Sequence, residues 1–225
     1  MDGRGATRQD AGRRASRVLP PRWGVPGLEA TRLFLAAQAW DRAAEEGEGL
    51  VGFMQRYGRV IDLAAVTREM CEGLPEEHAA FHRFLGTEGD ALAGLGLGLE
   101  ALKRARQVSE LLLGRLKQEP ERADYLRDLS VSYERMGDLL SGLGQGEQAR
   151  QFYQKALQIA ERLVQQEPER ADYQTDLVVS LVRIGGRANL ERAVAILRRL
   201  QSENRLTHEQ ATQWIPALES ALRSP

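Results

Sequence analysis

The seven letters EPERADY occur twice in this chain, at residues 119–125 and 167–173, and the 48-residue interval extends well beyond them. Laying residues 89–137 on residues 137–185 gives 22 identities in 49 aligned positions. GDALAGLGLGLEA falls on GDLLSGLGQGEQA, and DLSVSYERMG falls on DLVVSLVRIG. A period of about 20–50 residues marks a stacked repeat array, in which each unit covers its apolar stripe only against its neighbours.

Each copy reads as two helices. Tyr125, Leu129, Tyr133, Met136 and Leu140 follow one another at steps of 4, 4, 3 and 4, which is one face of a helix. The stretch SGLGQG interrupts it. A second helix is expected over residues 147–166, with Ala149, Tyr153, Ala156, Ala160 and Leu163 as its stripe. The small Ala149 and Ala156 let the paired helix approach closely, and Tyr153 fills the gap. The fold class expected is all-α, an α-solenoid of antiparallel helix pairs.

The segment around YERMGDLL and ARQFYQKAL resembles the tetratricopeptide repeat. Tyr133, Met136, Gly137, Leu140, Ala149, Tyr153 and Ala156 occupy positions of that pattern at its own spacings, and Gly144 matches the glycine of its interhelical turn. The departure is the period, since the family repeats about every 34 residues. Pro168 arrives late, so the second helix is about two turns longer than the family's. The resemblance implies a right-handed superhelix whose first helices line a concave groove that binds partner peptides or proteins. Matched residue by residue, the groove-facing places hold Arg83, Asp90, Glu134, Arg135, Asp138 and Arg183. The family's clamp for C-terminal carboxylates uses Lys and Asn in its groove. Acids and Arg stand here instead, so that specificity is not implied.

Four regions follow from this register. Residues 1–26 read as a disordered Arg-rich arm, and 27–88 as N-terminal helices with a degenerate repeat, where Gly58 and Pro75 stand at the family's separation. Residues 89–185 hold two long repeats. Residues 186–225 hold a truncated repeat, with a loop about four residues shorter, and a capping helix that opens on Thr207 and Gln210 as a capping box. Within the repeated heptapeptide, Pro120 and Pro168 are expected in the first turn of the incoming helix, where a missing N–H costs nothing. Glu121 and Glu169 would then sit near its positive end.

Charge and cysteine content narrow the function classes. The net charge is −1, which gives no global electrostatic case for nucleic acid or an anionic membrane. No apolar run approaches the ~18–20 residues of a membrane span. Cys71 is the single cysteine, so no intrachain disulfide forms and a cytoplasmic setting is expected. The Gly-rich residues 93–102 fit neither phosphate-binding fingerprint and read as an interhelical turn. His78 and His82 stand four apart, as on one helix face, but no third metal ligand is evident. Cys71 has no activating base nearby except His78. The expectation is a non-catalytic scaffold with no cofactor and no metal, binding another protein or peptide, with self-association as a further option. The alternatives are the C-terminal sensor or repeat region of a larger signalling NTPase-type polypeptide and, remotely, a metal-dependent enzyme at His78 and His82.

Overall fold

The computed structural model describes residues 25–208 and 210–223. The expected arm lies outside these residues, except that Val25 and Pro26 already belong to the first helix. The chain divides into two compact units between Leu97 and Gly98, a division that falls inside the first aligned copy. Every regular element among the described residues is helical.

The first unit contains α1 (Val25–Ala36), α2 (Trp40–Arg56), α3 (Val60–Gly73) and α4 (Phe81–Gly94). Neighbours in sequence pack on one another, and Leu50, Met70 and Phe84 are its largest fully buried apolar side chains. The second unit contains α5 (Gly98–Leu116), α6 (Ala123–Gly142), α7 (Gly146–Gln166), α8 (Ala171–Ile184) and α9 (Arg187–Ser202). A π-helical turn (Gln210–Trp214) then leads into α10 (Ile215–Arg223). Here too each helix packs on the next, from α5 through α10.

The expected stripes are the buried ones. On α6, Tyr125, Leu129, Tyr133, Met136 and Leu140 are all buried; on α7, Ala149, Ala156, Ala160 and Leu163 are. The Tyr153 ring lies so close to Gly137 that a Cβ on that glycine would collide with it. The turns between paired helices share one construction. Gly144 has φ +76°, and the next N–H, from Gln145, reaches back to the Leu140 carbonyl at 2.8 Å. That six-to-one closure caps the helix and needs a residue that tolerates positive φ. Gly58 and Gly96 form the same turn, as do the non-glycine residues Gln38 and Asn204. Thr207 and Gln210 form the expected box, with each backbone N–H bonded to the other's side-chain oxygen at 3.0 and 3.2 Å.

Two expectations are corrected. Pro120 and Pro168 do not open the incoming helices, which start at Ala123 and Ala171. Each proline occupies the second position of a β-turn, closed by the Arg122 N–H on the Glu119 carbonyl and by the Arg170 N–H on that of Glu167. The fixed φ of proline suits that position as well as it suits a first helical turn. Glu121 consequently stays outside the helix and accepts hydrogen bonds from Arg162 and Gln166 of α7. Asp124 and Asp172 are the first-turn acids.

The truncation after residue 185 is also not mainly a shorter loop. α8 has 14 residues where α6 has 20, so the helix itself stops six residues early. Gly137 is followed by Asp138 and stays helical, whereas its counterpart Gly185 is followed by Gly186, and both adopt positive φ. Two adjacent residues without side chains make the helix costly to continue.

Candidate interaction face

The sequence-matched groove positions divide between the two units. Arg83 and Asp90 lie on α4 of the first unit, where Arg83 pairs with Glu48 of α2 at 2.5 Å. In the second unit, Glu134, Asp138 and Arg183 come together where α6 faces α8. Arg183 donates to both Asp138 carboxylate oxygens, at 3.0 and 2.7 Å, and its third nitrogen lies 4.0 Å from Glu134. The Ser180 hydroxyl donates to Glu134 at 2.6 Å, and the Tyr153 hydroxyl donates to Asp138 at 2.8 Å. Arg135 follows Glu134 on α6 and is half-buried.

Residues that the matching missed extend this strip towards the heptapeptides. Arg127 holds Asp176 through Nε at 2.6 Å and Nη2 at 3.2 Å, and reaches Asp172 at 3.3 Å. Helical spacing carried a signal for both rows. Arg127, Val131, Glu134 and Asp138 recur at steps of 4, 3 and 4 on α6, and Asp172, Asp176 and Ser180 recur every four on α8. Burial raises the Glu134 pKa, with the Ser180 hydrogen bond and Arg183 acting against it. Burial and the bond to Asp138 push Tyr153 up to about 12.

Two cavities adjoin the strip and share Val179 as a wall. The larger, about 380 Å³, is lined by Val178, Val179 and Val182 of α8 and by Trp214 and Leu218 of the C-terminal segment, with Arg183 at its edge. The smaller, about 70 Å³, is bounded by Arg127, Glu134 and Asp176 among others.

The histidines are placed differently from expectation. His78 sits in the turn before α4, with Nε2 3.2 Å from Asp41, while His82 is on α4 and buried. They therefore do not share a helix face, because α4 begins only at Phe81. Among the described residues no three His, Cys, Asp or Glu side chains are grouped to hold a metal ion. Cys71 is half-buried near the end of α3. No described helix is long and apolar enough to cross a membrane.

No family model matches the sequence, and no curated protein is detectably similar to it. Solved structures are. BtubC (BKLC) from P. vanneervenii superposes with a TM-score of 0.61 at 15% identity, covering 96% of this chain and 85% of that one. A Podosopora anserina putative kinesin light chain with nearly identical TPR-like repeats gives 0.41 at 16% identity, over 88% and 82% of the two chains. A tetratricopeptide repeat protein from Parabacteroides merdae gives 0.35 at 14%, over 87% and 89%. The likeness to BtubC bears on the fold alone. With the paired helices, the glycine turns and the Gly137–Tyr153 contact, the fold is that of a tetratricopeptide-like helical repeat protein.

Proposed function

We propose, from this tetratricopeptide-like fold, that the chain is a non-catalytic scaffold that binds a segment of another protein along the inner helices of its repeats. The observation that carries this reading is the α6–α8 strip. Two consecutive first helices align charged side chains in one row beside an open apolar cavity, a surface with polar selectivity and apolar area together. Arg135 and the Asp138–Arg183 pair are the recognition residues in this reading, with Arg83 and Asp90 as further contacts on the first unit. The single cysteine supports a reducing, cytoplasmic setting. Affinity capture from source lysate with the full chain, compared with Arg135→Glu, tests the scaffold. The variant is expected to keep its helical circular dichroism and to lose at least one specifically captured protein. Identical captured sets from both proteins would remove the strip from the reading.

A further inference from the structure

We infer that the two cavities beside α8 together receive a partner segment that carries a bulky apolar side chain close to a Lys or Arg. This rests on the scaffold reading above and assigns the chemistry of its occupant.

The larger cavity is held open by packing. Ile215, buried between the cavity-lining Trp214 and Leu218, belongs to the same core cluster as Leu177, Leu181 and Leu197. That anchor fixes the C-terminal segment at its root. The π-helical turn Gln210–Trp214 brings Gln213 and Trp214 to the rim. Such turns interrupt the α-helical register and are common at functional sites. Val182 remains 38% exposed, so water reaches an apolar wall that a partner side chain would cover. A volume of about 380 Å³ accommodates an aromatic or branched aliphatic side chain with adjoining backbone.

The charge of the occupant follows from the strip. Asp172, Asp176, Glu134 and Asp138 contribute four carboxylates, and Arg127, Arg170 and Arg183 three guanidinium groups, an excess of one negative charge. Both Asp138 oxygens engage Arg183, which leaves that arginine poorly placed to receive a partner carboxylate. The smaller cavity is lined by Glu134, Asp176 and Arg127. Because Arg127 holds both Asp176 oxygens while Arg183 stands 4.0 Å from Glu134, Glu134 is the carboxylate open to a cation, one residue width from the apolar pocket across Val179. A cation entering there balances that carboxylate in a partly desolvated setting, where the attraction exceeds that at an open surface. An acidic segment would meet like charge.

The test selects peptides from a random display library on the immobilised full chain. Their affinities are then measured for wild type, Ala217→Trp and Arg135→Glu, at about 0.05 and 0.5 M salt. Ala217 lines the larger cavity from the exposed side of α10, so an indole there fills the space without entering the core. The dominant peptides are expected to pair Trp, Phe or Leu with Lys or Arg, and to bind more weakly in high salt. Ala217→Trp is expected to lower their affinity by about tenfold or more, with unchanged melting. Acidic peptides, no enriched peptide, or peptides indifferent to Ala217→Trp would overturn the inference. Peptides sensitive to Arg135→Glu but not to Ala217→Trp would overturn it while leaving the scaffold reading standing, which the lysate capture decides separately. Concentration-dependent dimerisation abolished by Ala217→Trp would assign the cavity to a second copy. Binding that appears only with Trp23→Ala would assign it to the chain's own N-terminal arm, whose residues 17–23 read RVLPPRW. Either result overturns a separate partner.

Discussion

Gly137 shows how one missing methyl group sets the distance between two helices. Gly→Ala in a helix interior ordinarily stabilises by about 1 kcal/mol. Here the added Cβ meets the Tyr153 ring, whose hydroxyl is held by Asp138, so the ring cannot move without losing that bond. Overpacking costs about 1–3 kcal/mol, so Gly137→Ala is expected to destabilise on balance in urea unfolding. In a Tyr153→Ala background the sign should reverse, because only the helix propensity remains. Glu134 provides a second residue-scale test. Its pKa is raised by burial, so the folded protein holds this proton more tightly than the unfolded chain. Stability is therefore expected to fall as pH rises from the ordinary glutamate range through the raised value. Glu134→Gln should flatten that part of the pH–stability profile, measured by urea midpoints between about pH 4 and pH 7.

At the scale of elements, the repeated heptapeptide works as a joint. Arg122 and Arg170 each lie over the following tyrosine ring, at 4.3 and 4.1 Å from the centroids of Tyr125 and Tyr173, and each pairs with the first-turn aspartate. Glu121 and Glu169 reach out in parallel, to Arg162 on α7 and to Arg205 just beyond α9. Each joint thus ties an incoming first helix to the second helix of its own pair. Successive first helices are tied by Arg127 with Asp172 and Asp176. These groups are part-exposed, so a double-mutant cycle of Arg127→Ala with Asp176→Ala is expected to give about 0.5–1 kcal/mol of coupling in low salt. The coupling should shrink at about 0.5 M salt, and a value that ignores salt would contradict this account.

At the scale of the molecule, a repeat array needs an end that covers its last stripe. In the second unit α10 supplies it. Ile215 is buried against Ala160, Leu177, Val178, Leu181, Ala193 and Leu197, with Trp214, Leu206 and Leu218 packed around them. Ile215→Ala is expected to destabilise by about 2–4 kcal/mol, read as a lowered urea midpoint. The open cavity beside it argues for the upper part of that range, because little material is available to collapse into the space.

The helix pairs, their buried stripes and the glycines of their turns were legible in the letters alone. A stripe is a local periodicity, as at Tyr125, Leu129 and Tyr133, and a turn such as that at Gly144 needs a residue tolerant of positive φ wherever it lies. Proline was less legible, since its fixed φ suits a β-turn and a first helical turn alike, and only the hydrogen bond closing on Glu119 separates them. Ion-pair choice was not legible. Arg127 with Asp176 and Arg183 with Asp138 stand 49 and 45 residues apart, and no local spacing says which acid will face which arginine. The lateral offset between α6 and α8 decides that. The same offset, with the early stop of α8 at Gly185 and the return of Trp214 against it, leaves the apolar cavity open. Local periodicity determined what this chain folds into, and the packing of one helix against another decided which charges meet and where the cavity opens.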